Sequence, residues 1–332
     1  MNIGTVLVTG ANGFLGKAIL TQLMSENLTV YGTDMGNAPA AICNEFRKAD
    51  ITQPEELIGA IGGATTVIHA AGLAHVFDKR NIFNAQFKAI NEQGTANVAR
   101  VAANASVSHF VLISSVSVYG PFTQGAYGES ITCHPQGPYA ESKYQAEQRA
   151  IEIAIESGMA LTILRLATLY GEGDPGNVAR LMRTIDRGRF IWIGNGSNRK
   201  SLLHREDAAR ACLAVIQNPV SGVNIYNVSA PPCTMCEVVE ELAGALGKRI
   251  PSFGIPASLV RGISELFSIL PVSSLQNLGA TAQKWLADDM YDGRKFEHAF
   301  NFQSRVNLAE GLRREVACYR AEQARCGKSF KL

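Results

Sequence analysis

Apolar positions along the first two-thirds of the chain alternate between two periods. Thr5 to Thr9, Thr29 to Thr33, Thr66 to His69, Phe110 to Ser114 and Leu161 to Arg165 are short runs rich in β-branched residues. They carry too few polar positions for a solvated face and read as strands buried on both sides. Between them, Lys17 to Ser25, Pro54 to Ile61, Gly94 to Ala103 and Lys143 to Glu156 repeat apolar residues every three or four positions. That spacing predicts amphipathic helices. Strand–helix alternation of this kind builds a parallel, doubly wound α/β sheet with right-handed crossovers.

Beyond Tyr170 the rhythm changes. Gly171 to Asn177 is loop-like, Val178 to Arg187 is helical, and Phe190 to Gly196 reads as a short strand ending in a glycine-rich turn. A helix and a strand follow between Arg205 and Val228, and from Pro231 the pattern is mainly helical with little strand signal. The expected organisation is a nucleotide-binding (Rossmann) domain over residues 1-172, completed by about 201-230. Residues 173-200 and 231-332 would form a smaller, mainly helical lobe for substrate. No internal repeat or low-complexity segment interrupts it.

Composition narrows the class. With 46% hydrophobic and 18% charged residues the chain is globular rather than disordered, and a formal charge of +2 leaves no footprint for nucleic acid. Met1 leads into an apolar run without a basic region or small-residue cleavage site, so no signal peptide is expected. The apolar stretch Phe253 to Leu278 is broken by Arg261, Glu265 and two prolines, which argues against a membrane span. Seven scattered cysteines fit a reducing cytoplasm better than a disulfide framework. Cys233-x-x-Cys236 lacks a second Cys/His pair to complete a zinc site, so no metal is expected; the two read as small residues before a helix starting near Glu237.

Two segments carry chemistry. Gly10-Ala11-Asn12-Gly13-Phe14-Leu15-Gly16 follows the first strand and opens a helix. Glycines there permit a tight turn and close approach of a pyrophosphate to the helix N-terminus. Asp34, ending the second strand, can accept hydrogen bonds from an adenosine ribose and would repel a 2′-phosphate, so NAD is expected ahead of NADP. Asp50-Ile51 is placed to hold the adenine edge. The second segment is Tyr139-Ala140-Glu141-Ser142-Lys143, whose phenol and ammonium share one helix face at i and i+4. A tyrosine titrates near pH 10 in water. A lysine cation and an oxidised nicotinamide beside it favour the phenolate and make it a general base. Upstream, Ser114-Ser115-Val116-Ser117 puts hydroxyls at the carboxyl end of a strand, where such sheets bind ligands.

Taken together, the TGxxGxxG turn, Asp34, His69-Ala70-Ala71-Gly72, Asn91-x-x-Gly94-Thr95, the SSxSVYG segment and YxxxK resemble the extended short-chain dehydrogenase/reductase superfamily. More closely, they resemble its nucleotide-sugar epimerase/dehydratase branch, over about residues 3 to 230. The resemblance implies that Tyr139 is the acid/base and that Lys143 binds the nicotinamide ribose and lowers the phenol's pKa. Ser115 would hydrogen-bond the reacting oxygen. Gly10, Gly13, Phe14, Leu15 and Gly16 would lie along the pyrophosphate, Asp34, Asp50 and Ile51 at the adenosine end, and Ala71, Gly72 and Asn91 further along the cofactor. It also implies a homodimer through the helices Gly94 to Ala103 and Lys143 to Glu156.

On the substrate side, Asn177 matches the residue that meets a sugar-nucleotide pyrophosphate. Lys200, or Arg199 one position earlier, matches the phosphate-binding cation, and Ser117 completes the substrate hydroxyls. The dehydratases of the branch carry Asp-Glu where this chain has Val116-Ser117, which counts against 4,6-dehydration and for epimerisation or keto reduction. Two more departures are Leu166 after Arg165, where a proline or aromatic is usual, and Arg205 after His204, where valine is usual. His69 and His204 read as satisfied strand-end residues. The partner expected is a nucleoside-diphosphate sugar, in polysaccharide biosynthesis. Pro256 to Leu259 and Tyr291 to Lys295 also resemble the hydroxysteroid-dehydrogenase and dihydroflavonol-reductase branches, whose apolar alcohols could lie along Leu259 to Leu270. A non-catalytic NAD-binding sensor is the reading from another class.

Overall fold

The computed structural model describes residues 3–37, 43–74, 82–121, 125–259 and 286–329, so most of the Leu259 to Leu270 run lies outside the described residues. In chain order the first half contains β1 (Thr5–Thr9), α1 (Phe14–Ser25), β2 (Thr29–Thr33), β3 (Glu45–Phe46), α2 (Pro54–Ile61) and β4 (Thr66–His69). Next come α3 (Ile82–Phe87), a π-helical turn (Lys88–Gln93), α4 (Gly94–Asn104), β5 (His109–Ser115), a 3₁₀ turn (Val116–Tyr119) and α5 (Pro138–Ser157). The second half has β6 (Ala160–Leu166), β7 (Thr168–Tyr170), α6 (Asn177–Asp186), β8 (Trp192–Ile193), β9 (Arg199–Lys200), β10 (Leu202–His204), α7 (Arg205–Gln217) and β11 (Val223–Val228). It ends with β12 (Cys233–Thr234), α8 (Met235–Leu246), β13 (Gly254–Ile255), α9 (Arg294–Phe300) and α10 (Leu308–Ser329).

Seven strands make one parallel sheet in the order β3-β2-β1-β4-β5-β6-β11. Successive residues of each strand face opposite layers, and the buried side chains sort accordingly. Val6, Val8, Val111 and Ile113 pack with Ile19 and Leu23 of α1 and with Ala211 and Val215 of α7. Leu7, Phe110, Leu112 and Ile163 pack on the other face with Leu57 and Ile61 of α2, Val98 of α4 and Ile153 of α5. Each fully buried Leu, Ile, Val or Phe stabilises by roughly 1.5–3 kcal/mol, so the two layers hold the sheet ends in place. A third core joins Leu181 and Ile185 of α6, Val239 and Leu242 of α8, and Leu312 and Val316 of α10.

The structure redraws several elements. The strand expected over Phe190 to Gly196 shrinks to Trp192–Ile193, because Gly194 and Gly196 both take φ +71°. The part after Pro231 contributes β12 and β13, two-residue strands too short to show a period; they pair with β9 and β8. Helix α5 starts at Pro138, before Tyr139, with proline in the first turn where its missing N–H costs nothing. Helix α8 starts at Met235 rather than near Glu237, because Thr234 caps it and Glu237 returns the bond in a capping box.

Candidate active site

The strand order reverses between β1 and β4, and the crevice outside their carboxyl ends is where such sheets take ligands. Gly10 turns there with φ +68°, and a Cβ on it would lie 2.7 Å from the Ala71 nitrogen. A Cβ on Gly16 would fall on the Gly10 carbonyl. The Gly13 N–H donates to that carbonyl at 2.9 Å, which delivers the chain to Phe14 and Leu15 at the head of α1. No side chain caps this helix, so its first amides are available to an anion. Asp34 stands at the mouth, its carboxylate accepting the Asn12 N–H at 3.0 Å and the Gly36 N–H at 3.2 Å. A cradle that a single Cβ would fill, with a carboxylate at its rim, fits a dinucleotide. Asp50 Oδ1 accepts the Thr52 N–H and hydroxyl, both at 2.8 Å. Ile51 is buried beneath Gly94 and its carbonyl accepts from Asn97.

Beyond β4 the chain is tied down by polar contacts. His69 joins Thr9 at 2.7 Å and Thr95 at 3.0 Å, while the Ala71 N–H donates to Thr9 Oγ1 at 3.1 Å. Burial, with the Lys143 charge adding to it, pushes His69 down to about 3, so it is a neutral structural residue. Gly72 leaves room for Asn91 Oδ1 and for Lys143 Nζ, which would be 3.1 and 3.8 Å from a Cβ there. Asn91 sits in the π-helical turn and is fully bonded. Its oxygen accepts the Leu73 N–H at 2.7 Å, and its amide donates to the Leu73 carbonyl at 3.0 Å and to Ser142 Oγ at 2.9 Å. Ser142 donates in turn to the Tyr139 carbonyl at 2.8 Å, so Asn91 ties the cofactor crevice to the first turn of α5. Neither the π turn nor this role of Ser142 was legible in the apolar pattern, which sees only the period of a helix.

Lys143 reaches the carboxyl end of β5 and donates to the Ile113 carbonyl at 2.6 Å. Burial draws its pKa down to about 8, against the charge of Glu147 one turn further on. Tyr139 packs edge-on against Phe87, with ring centroids 6.0 Å apart. Burial raises its phenol above the ordinary value, and a hydrogen bond with Ser115 pulls it back only in part. In the chain by itself the bond with Ser115 favours the phenolate, while the Lys143 ammonium donates to the Ile113 carbonyl. Ser115 also caps the 3₁₀ turn, accepting the Ser117 N–H at 3.2 Å, while Ser117 Oγ is buried without a hydrogen-bond partner.

Behind this constellation lies a sealed network that sequence reasoning missed. Glu147 accepts from Ser114 at 2.5 Å and from Arg165 Nη2 and Nε at 2.7 and 3.0 Å. The Arg165 guanidinium lies over the Tyr119 ring, and the Tyr119 hydroxyl donates to Asn227 at 2.8 Å. The available signal was the i+4 step from Lys143 to Glu147, a carboxylate on the buried face of its helix.

The substrate-side residues are more dispersed. Asn177 is exposed at the start of α6, after a turn in which Asp174 accepts the Gly176 and Ala179 N–H groups at 2.7 and 3.0 Å. Glu315 of α10 reaches the same turn, accepting the Gly171 N–H at 3.2 Å. Its carboxyl is pushed up to about 8, first by burial and then by Asp174. Arg199 is exposed, whereas Lys200 is buried with Nζ donating to the Ala287 carbonyl at 2.8 Å. Of the two expected phosphate ligands, then, Lys200 is engaged with the 287–289 segment and Arg199 faces outward. A concavity of about 410 Å³ opens beside them, lined by Gly194, Asn195, Gly196, Ser197, Asn198, Pro256, Ala257 and Leu286. Among the described residues no group of His, Cys, Asp and Glu is arranged for a metal ion, and no helix is long and apolar enough to cross a membrane. His204 is a helix cap, its ring accepting the Glu206 N–H at 3.3 Å.

The family model for the NAD dependent epimerase/dehydratase family matches residues 6–229. A curated relative from Escherichia coli O157:H7, N-acetyl-alpha-D-glucosaminyl-diphospho-ditrans,octacis-undecaprenol 4-epimerase, is 28% identical, with 94% of each chain covered. UDP-glucose 4-epimerase of Vibrio cholerae is 28% identical over 77% of this chain and 79% of its own. Among solved structures, MoeE5 in complex with UDP-glucuronic acid and NAD is 25% identical, with TM-score 0.77 over 96% of this chain and all of the other. The match runs from the second residue of β1 to the first residue after β11, so it spans the whole sheet, the glycine turn and the Tyr139/Lys143 helix. The chain therefore belongs to the NAD dependent epimerase/dehydratase family, as an enzyme whose cofactor is NAD.

Proposed function

We propose that the protein exchanges hydride between NAD and a ring carbon of a nucleoside-diphosphate sugar, as a 4-epimerase or 4-keto reductase/dehydrogenase. The observation that carries this reading is the convergence of Ser115, Tyr139 and Lys143 at the carboxyl end of β5, beside the glycine turn. Tyr139 takes the hydroxyl proton of the substrate, and Ser115 holds the same oxygen and stabilises its developing charge. Lys143 stands over the crevice with a pKa of about 8, so a cofactor ribose can replace Ile113 as its partner. Bound NAD supplies the hydride acceptor. The buried Ser117 hydroxyl, lacking a partner, is a ready donor to a second sugar oxygen. With Val116-Ser117 in place of an acid pair, the site favours epimerisation or keto reduction over dehydration. Asn177 with Lys200 or Arg199 are the residues read as meeting the diphosphate, and a homodimer through α4 and α5 in the cytoplasm is the assembly that goes with this reading.

A second reading keeps the sugar diphosphate and replaces the nucleoside by a polyprenyl chain. Ile191, Phe253, Ile255 and Leu259 expose their side chains on or beside the β8–β13 pair, next to the Gly194–Asn198 rim, as a substrate with an apolar tail would need. The E. coli relative, by its name, acts on such a lipid.

The test is mass spectrometry of purified protein given UDP- and dTDP-sugars, a polyprenyl-diphosphate sugar and a 3β-hydroxysteroid. Retained NAD with an isomerised sugar establishes the epimerase, and the preferred carrier decides between nucleoside and lipid. NADH released alongside a keto product establishes a dehydrogenase. Turnover of the steroid alone overturns both readings, and turnover of none leaves the sensor.

A further inference from the structure

Arg205 stands at the junction of the cofactor turn and the loop that leads to Asn177. It opens α7, which packs along α1. Its guanidinium carbon lies 5.6 Å from the ring centroid of Phe14, the first residue of α1 and part of the diphosphate turn. In the other direction its Nε comes within 3.2 Å of Glu172 Oε2. A Cβ on Gly171 would sit 3.2 Å from Arg205 Cγ, so the loop also presses on the aliphatic stem.

Glu172 is the hub of the far side. Its other oxygen accepts Arg314 Nε at 2.5 Å, and Arg314 also pairs with Glu206, the residue after Arg205. The Nε2 of His204 is 3.5 Å from Glu172 Oε2. Burial works against the carboxylate, yet the nearby His204 ring, the hydrogen bond from Arg314 and the charge of Arg205 hold Glu172 well below the usual carboxyl range. A permanent anion is thus set between the cofactor turn and α10, and Arg205 is the cation that faces both it and the Phe14 ring. A valine at this position could make neither contact.

We propose that Arg205 is a positioning residue for NAD: by holding the Phe14 ring it keeps the first turn of α1 in the geometry that receives the diphosphate. Through Glu172 it links that turn to the substrate loop. A delocalised guanidinium suits a place between a ring 5.6 Å away and a carboxylate oxygen 3.2 Å away better than a compact, strongly hydrated ammonium does. Coupling between two sites is reciprocal, so a substrate whose binding the loop favours would tighten NAD by the factor by which NAD tightens that substrate. The inference rests on the family's use of NAD and is independent of which sugar, carrier or alcohol is turned over.

The experiment titrates NAD⁺ alone into the full chain by calorimetry, with melting of the NAD-free protein measured alongside. Arg205→Met keeps the stem and removes the guanidinium, and its affinity for NAD is expected to fall about tenfold, with NAD-free melting close to the parent's. Arg205→Lys is expected to recover only part of the loss. Glu172→Gln is expected to weaken NAD less than Arg205→Met does, and the double variant Arg205→Met/Glu172→Gln to bind NAD no worse than Arg205→Met alone. NAD affinity within twofold of the parent in Arg205→Met overturns the proposal. So does a parallel fall of affinity and NAD-free melting that Arg205→Lys leaves unrelieved, which marks a merely structural residue. Should Arg205→Met fail to fold, Arg205→Lys decides: weaker NAD binding at parental melting supports the proposal, and parental affinity overturns it.

Discussion

Glu147 and Arg165 meet in a two-point ion pair shut away from water, 0% and 4% exposed, one helical turn beyond Lys143. Breaking one partner of such a pair leaves a buried charge without compensation and costs about 3–5 kcal/mol. Glu147→Gln is therefore expected to lose stability on that order in urea unfolding. It is also expected to move the Lys143 midpoint below about 8, since Glu147 is what opposes burial there. Lysine titration by ¹³C NMR checks the second point, and an unchanged midpoint would refute it.

Tyr139→Phe keeps the ring that packs on Phe87 and removes only the hydroxyl. Turnover is expected to fall at least a thousandfold, while NAD binding and melting stay near the parent's. Because burial raises the phenol, activity of the parent should climb with pH until the phenolate forms. Ser115→Ala, by removing the group that favours phenolate, should push that rise to higher pH. A shift to lower pH would contradict the assignment of Ser115.

Gly10→Ala places a methyl 2.7 Å from the Ala71 nitrogen, at a φ of +68° that alanine disfavours. NAD binding is expected to be lost or weakened by more than tenfold, read by calorimetry, with a stability loss of about 1–3 kcal/mol. Gly63→Ala, at φ +82° with open space around the added methyl, is the control for backbone strain alone and should leave NAD binding intact.

Glu315 gives the fold a pH dependence of definite sign. Its carboxyl is raised to about 8 in the folded chain, so between roughly pH 4 and 8 the folded state holds a proton that the unfolded state has released. Stability from this group is complete below the unfolded pKa and declines as pH rises through about 8. Glu315→Gln keeps an acceptor for the Gly171 N–H and cannot ionise. It should be more stable relative to the parent at pH 8 than at pH 5, by on the order of 1–3 kcal/mol, in paired urea titrations. A difference that does not vary with pH would reject the protonated state.

Legibility in the sequence followed the length of the signal. The strands Thr5–Thr9, Thr29–Thr33 and Thr66–His69 stand at the residues their apolar runs mark, because a strand buried on both faces leaves an unbroken signature. The two-residue strands after Ile193 have no period to read, and the π turn before Gly94 is indistinguishable from α-helix by apolar spacing. At the site, the glycine turn and the i,i+4 pair declare themselves through motif and context. What Lys143 touches does not, since the Ile113 carbonyl is 30 residues away in sequence and brought close only by the sheet. Lys200 shows the same limit: the contact of its ammonium with the Ala287 carbonyl, 87 residues on, cannot be read from its register.

The seventh strand carries a consequence for biogenesis. β11 borders β6 with six aligned residue pairs, yet it is made some sixty residues later in the chain. At a synthesis rate of roughly 5–20 residues per second, the β6 edge waits several seconds on the ribosome with its backbone groups unpaired. During that interval Asn227 has not arrived to meet Tyr119, so α5 packs against an unfinished wall. Truncation before Val223 leaves that edge bare for good and should yield aggregates rather than a smaller enzyme.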